Sequence, residues 1–190
     1  MKIDDQFNLV IPIADPVRAF SAPISEAVFE ASYRVLSAAN EQIFGRGMKP
    51  ALLTGPRTAA IAIVDAGKRL AVDDGVEGDL GASAFRSEIK RLTTILAPGS
   101  HGFDMMPVEQ AVQSGVIDEG DWRDVEGLLC FFMLAWLFET RRARNDLVKW
   151  LAETLSCSVI SQNLEDYAAS LMISKPDAQK NKIAASSVPI

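Results

Sequence analysis

The chain has little of what an enzyme or a metal site needs. Its 190 residues contain one histidine, His101, and two cysteines, Cys130 and Cys157, which are distant in the sequence. A zinc site ordinarily takes three or four nitrogen or sulfur ligands, so these residues do not predict one. A serine hydrolase would need His101 as its base, and no G-x-S-x-G motif is present to carry a nucleophile. We therefore expect no enzymatic activity, no catalytic residue, no metal site and no cofactor.

An excess of positive charge and a membrane-length apolar run are also absent. The formal net charge is -6 and the isoelectric point is about 4.9, which argues against a nucleic-acid-binding protein. The apolar run Gly127–Phe138 is twelve residues long. A membrane span needs about 20 such residues. The first ten residues, MKIDDQFNLV, lack the apolar core of a signal peptide, so we expect a cytoplasmic protein that contacts no membrane.

What the sequence does have is an unusually apolar helix around that run. Carboxylates precede the run and Arg141, Arg142 and Arg144 follow it, an arrangement that the helix dipole favours. We predict one helix over 121–140, with Asp118 or Asp121 as its N-cap. Because apolar side chains occupy its whole circumference, the helix is either a core helix, which we favour, or a partner-binding helix.

The remaining pattern predicts short helices after one pair of strands. Strands are expected at 7–13 and 17–21, forming a stand-alone or edge ribbon because Pro12 cannot donate a hydrogen bond to a neighbour. Residues 49–55 are expected to connect two helices, and residues 97–106 to form a loop. Besides the central helix, we predict helices at 23–44, 56–71, 83–96, 107–114, 146–155 and 164–173.

These elements together predict a mainly α fold. We expect a single helical domain at 23–173, preceded by a small N-terminal β-hairpin at 1–22 and followed by a flexible tail at 174–190. The tail is polar and has no periodicity, so its removal should leave the domain folded.

An ordered series of phrases resembles a known family. The series runs from FSAPISEAVFEASYRVLSAANEQIF (20–44) through GPRTAAIAIVDAGKR (55–69) and EIKRLTTILAP (88–98). It continues with MPVEQAVQSGVIDEGDW (106–122) and EGLLCFFMLAWLF (126–138). In this order the phrases resemble the tail assembly chaperones of long-tailed bacteriophages, over roughly residues 7 to 140. The family has no catalytic motif, so the resemblance assigns no catalytic residue.

The resemblance implies a function in the host cytoplasm. Such chaperones bind the tape-measure protein, keep its apolar helices soluble, bring tail-tube subunits to it, and are absent from the mature virion. Self-association is left open. The alternative is a structural head–tail connector or tail completion protein that remains in the particle. The candidate partner-binding residues are the aromatic side chains of the first and central helices: Phe29, Tyr33, Phe44, Phe131, Phe132, Trp136 and Phe138.

Overall fold

A six-stranded sheet organises the part of the chain that the computed structural model describes, which is residues 1–4, 7–100, 102–139, 143, 146, 158–160 and 164–173. The strand order is β5-β4-β3-β2-β1-β6. Neighbouring strands are antiparallel except β1 and β6, which are parallel. The strands are β1 (Lys2–Asp4), β2 (Leu9–Ala14), β3 (Val17–Ser21), β4 (Thr93–Gly99), β5 (Gly102–Pro107) and β6 (Ser158–Ile160).

Six helices with defined bounds accompany the sheet in the described ranges. They are α1 (Glu26–Phe44), α2 (Met48–Asp73), α3 (Ala82–Arg91), α4 (Val108–Gln113), α5 (Glu119–Trp136) and α6 (Leu164–Ile173). The central helix is therefore confirmed, although it begins at Glu119 and ends at Trp136. The predicted helices at 23–44, 107–114 and 164–173 are also confirmed to within a few residues.

The two faces of the sheet belong to two different cores, because successive strand residues point to opposite sides. Leu9 and Ile11 pack into the large core with α1, α2, α3 and α5. Val10 and Phe20 instead pack against α6, where the rings of Phe20 and Tyr167 lie 6.5 Å apart. The hairpin β2–β3 is thus an interior part of the sheet, and its prediction as an edge or stand-alone ribbon is wrong.

A close crossing of α2 and α5 positions the large core. A Cβ atom at Gly127 would lie 2.5 Å from the carbonyl oxygen of Pro56, so only glycine allows the two backbones this approach. A Cβ at Gly55 would meet the Phe131 ring at the same distance. Both glycines therefore serve the packing of α2 on α5.

A capping box starts α5. The Asp118 carboxylate accepts a hydrogen bond from the Asp121 backbone N–H at 2.8 Å, and the Asp121 carboxylate accepts one from the Asp118 N–H at 3.0 Å. We expect Asp118→Ala to lower the free energy of unfolding by about 1 kcal/mol, since it leaves a helix N–H without this partner. Urea denaturation measures the change. Asp118→Asn should retain most of the stability, and equal losses in both variants would contradict a capping role.

The predicted mainly α fold is wrong, because the chain forms an α+β structure. The error lies mostly in residues 93–107, which were predicted as the end of a helix and a loop but form the hairpin β4–β5. Phe85, Ile89 and Leu96 follow a helical spacing and are all buried. However, Leu96 reaches its core from a strand, where β-branched Thr93, Thr94 and Ile95 precede it.

Residues 49–55 are not a connector, since α2 already begins at Met48. Pro50 lies in the first turn, where its missing N–H is tolerated. Pro56 lies inside the helix, where proline removes a hydrogen bond to the carbonyl four residues earlier. The flanking hydroxyls of Thr54 and Thr58 bond to backbone carbonyls of this stretch at 3.2 and 2.9 Å. The predicted tail at 174–190 and most of the predicted helix at 146–155 lie outside the described residues.

Candidate functional site

Three of the predicted partner-binding residues are core residues in this structure. Phe131, Phe132 and Trp136 are 0%, 1% and 1% exposed. Phe44 is half-buried, and its ring centroid lies 5.4 Å from that of Phe131. A partner would reach these rings only if α5 were uncovered, so the helix around the apolar run is a core helix here. Direct contact of these four side chains with a partner stays a prediction.

The other three predicted residues come together at the surface. Phe29 and Tyr33 lie one turn apart on α1, and Phe138 follows the end of α5. The ring centroid of Phe29 lies 5.4 Å from that of Phe138 and 5.9 Å from that of Tyr33, and Tyr33 and Phe138 are 6.0 Å apart. We call these three residues the α1 aromatic cluster. Tyr33 is 51% exposed, so the cluster presents aromatic surface to solvent.

A small pocket opens beside the α1 aromatic cluster. Its volume is about 200 Å³, and its lining combines apolar side chains with the start of α1: Ile24, Ser25, Glu26, Phe29 and Leu137. The Ser25 hydroxyl accepts a hydrogen bond from the Val28 N–H at 3.4 Å and caps the helix. The pocket shares Phe29 with the α1 aromatic cluster and is large enough for one apolar side chain.

The sequence interpretation missed a buried ion pair between α3 and α5. Glu126 is 4% exposed, and its two carboxylate oxygens accept hydrogen bonds from Nε and Nη2 of Arg86 at 2.8 and 2.6 Å. The hydrogen bond to Glu126 raises the pKa of the Arg86 guanidinium. Burial, followed by the charge of Glu126, raises the pKa of the Cys130 thiol far above its usual value. Cys130 is therefore an inert core thiol rather than a nucleophile.

A polar cavity of about 310 Å³ lies over this ion pair, lined by Ser83, Arg86, Ser87, Lys90, Glu119, Trp122 and Glu126. Its two cations are already paired, Arg86 with Glu126 and Lys90 with Glu109 at 3.2 Å. The cavity therefore offers a ligand no free cation, and we assign the ion pair a structural role. The only sign of this pair in the sequence is Glu126, a carboxylate one turn before Cys130 in an apolar helix.

Two classes of site are not found in the parts of the chain that the structure describes. No three histidine, cysteine, aspartate or glutamate side chains in those ranges lie close enough together to hold a metal ion. No helix there is both long and apolar enough to cross a membrane.

Comparison of the chain with protein-family models, with curated proteins and with solved structures found no match.

Proposed function

We propose that the protein is a tail assembly chaperone of a long-tailed bacteriophage. It binds apolar helical segments of the tape-measure protein in the host cytoplasm, helps recruit tail-tube subunits and is absent from the mature virion. The proposal joins the ordered phrases of the sequence with one structural observation, the α1 aromatic cluster and its pocket. The rings of Phe29, Tyr33 and Phe138 lie together at a partly exposed surface, although a chain of this composition has a large core to bury them in.

The cluster suits an apolar helix rather than a polar ligand. An amphipathic helix presents apolar side chains three and four residues apart, and one of them fits the pocket while its neighbours cover the rings. Burial of apolar surface stabilises a contact by about 25 cal/mol per Å², and a few aromatic side chains carry most of the binding energy of many interfaces. Such a contact is mainly apolar, so it should persist in high salt, where exposed charge pairs weaken.

The net charge of -6 supports the same proposal. A strongly charged carrier keeps an apolar cargo in solution because like charges oppose aggregation of the loaded complexes. The negative charge also disfavours nonspecific binding to nucleic acid.

Co-expression with the tape-measure protein of the same phage tests the proposal. We expect the wild-type chain to keep the tape-measure protein in the soluble fraction and to co-purify with it in low and high salt. Tyr33→Asp should lower the soluble fraction at least severalfold, because it places a charge in the apolar contact. Met105→Asp is the matched control, because Met105 is also 51% exposed but lies away from the α1 aromatic cluster. Met105 is on β5 and pairs with Leu96 of β4, whose side chain faces the α6 side of the sheet.

Two outcomes would overturn the chaperone proposal. One is a tape-measure protein that is equally insoluble with and without this chain and forms no complex in low salt. The other is the presence of the chain in purified virions at a stoichiometric level, which would favour the structural alternative of a connector or completion protein.

A further inference from the structure

The outer side of α2 carries a continuous exposed stripe. Its members recur at intervals of three and four residues, so they lie on one side of the helix. All of them are exposed, and the two aliphatic members, Ile61 and Val72, are 66% and 78% exposed. We call this stripe the α2 seam, and it consists of Pro50, Thr54, Arg57, Ile61, Asp65, Lys68 and Val72.

The α2 seam is symmetric in position about Ile61, which lies at the middle of the helix Met48–Asp73. Arg57 and Asp65 lie four residues before and after Ile61. Pro50 and Val72 lie eleven residues before and after it. The remaining two, Thr54 and Lys68, lie at seven residues. The charge is opposite at the nearest pair, because arginine precedes Ile61 and aspartate follows it.

We propose that two copies of this chain associate through antiparallel packing of their α2 seams, with a two-fold axis at Ile61. In this arrangement Ile61 meets Ile61 of the other copy, and each Arg57 meets an Asp65. Each Pro50 likewise meets a Val72. A two-fold contact is self-complementary, so every favourable pair forms twice, and antiparallel helices pack well when their contacting residues recur every three to four positions.

The charges needed for this contact are available. Arg57 has no hydrogen bond or ion pair with any described residue, and it is exposed. Asp65 forms one ion pair, with Nε of Arg69 at 3.2 Å, and its side chain remains 52% exposed. A carboxylate has about four lone-pair positions, so Asp65 can also accept the guanidinium of a second copy.

The order of the charges about Ile61 supports the antiparallel direction. Residues 42–64 contain Arg46, Lys49 and Arg57 but no carboxylate, although the chain as a whole is acidic. From Asp65 onward the helix carries two carboxylates, Asp65 and Asp73, together with the cations Lys68 and Arg69. Antiparallel packing therefore joins each Arg57 to an Asp65 of the other copy, whereas parallel packing in register would place Arg57 against Arg57 and Asp65 against Asp65.

Grooves beside both ends of the α2 seam give the ends of the second helix a place to lie. The first, of about 480 Å³, is lined by residues that include Ile43, Pro50 and Ile61. The second, of about 370 Å³, is lined by residues that include Ala38 and Val72. Since three of the seven seam residues are apolar, we expect a reversible dimer whose register is set by the Arg57–Asp65 pairs.

Sedimentation velocity over micromolar to submillimolar concentrations tests the dimer. We expect the wild-type chain to show a concentration-dependent dimer, and Ile61→Asp to raise the dimer dissociation constant by about tenfold or more through like charges at the axis. Arg57→Asp alone and Asp65→Arg alone should do the same, since each creates two repulsive pairs. Met105→Asp, on β5, should leave the dimer unchanged, and unchanged melting temperatures would show that the variants are folded.

An equimolar mixture of the Arg57→Asp and Asp65→Arg chains decides the geometry. In the mixed dimer both contacts join an aspartate to an arginine, so dimerisation should return to within about threefold of the wild-type dissociation constant. Ile61→Cys should also form a disulfide between copies on mild oxidation, while Tyr33→Cys should not. A wild-type chain that stays monomeric at submillimolar concentration, or a mixture that stays monomeric, would overturn the proposal. Because this contact does not involve the α1 aromatic cluster, its failure would leave the chaperone proposal in place.

Discussion

Trp136→Ala should lower the free energy of unfolding by about 3–5 kcal/mol, because it removes a large buried ring that the surrounding core cannot replace. Trp136 is 1% exposed, and its ring lies 5.4 Å from that of Phe7 and 5.8 Å from that of Phe132. It therefore joins the end of α5 to the chain segment before β2. Phe132→Ala should have a loss of the same size, since Phe132 also contacts Phe131 at 5.7 Å between ring centroids.

Chemical denaturation of the purified chain measures these losses. Leu53→Ala is the control, since Leu53 is 77% exposed and its truncation should change stability by about 0.5 kcal/mol or less. If the two core variants keep the wild-type stability but lose binding of the tape-measure protein, the rings are a recognition surface and the burial described above does not hold in solution.

The features of α5 that the sequence predicts are local ones. The carboxylates of Asp118 and Asp121 cap the helix through contacts three residues apart, and the apolar run that follows determines its burial. The cap does not depend on what lies elsewhere in the chain, whereas the segments that cover the apolar run do, and the sequence does not identify them. The hairpin β2–β3 is local like the cap, because its two strands are joined by a short turn at Asp15 and Pro16.

The features that the sequence does not predict depend on contacts between distant segments. β4 pairs with β3 across more than seventy residues, and this pairing makes strands of residues whose spacing also fits a helix. The second core forms only because α6 covers the face of the sheet that carries Val10 and Phe20. At the candidate site, the sequence identifies Phe29, Tyr33 and Phe138 as candidate partner-binding residues of the first and central helices. It does not indicate that these rings meet at the surface while Phe131 and Phe132 are buried.

Arg86→Met should destabilise the fold by about 3–5 kcal/mol, because it leaves the Glu126 carboxylate buried without a cation. The pair joins α3 to α5 across forty residues of sequence, and both carboxylate oxygens of Glu126 accept hydrogen bonds from the guanidinium. The two partners are not equivalent: the side chain of Glu126 is 5% exposed and that of Arg86 is 37% exposed. Glu126→Leu should therefore cost less than Arg86→Met, since the guanidinium left behind can be hydrated.

Combining the two substitutions separates the cost of an unpaired charge from the value of the pair itself. The double variant Arg86→Met/Glu126→Leu should recover most of the stability that Arg86→Met loses, because no buried charge remains and the apolar side chains suit the core around Cys130. Denaturant midpoints of the wild-type chain, both single variants and the double variant give the coupling free energy. Additive losses in the double variant would contradict this account and would indicate that each side chain contributes through packing alone. Recovery of stability in the double variant would show that each charge is costly only when its partner is removed. It would also show that α3 and α5 can pack without the ion pair.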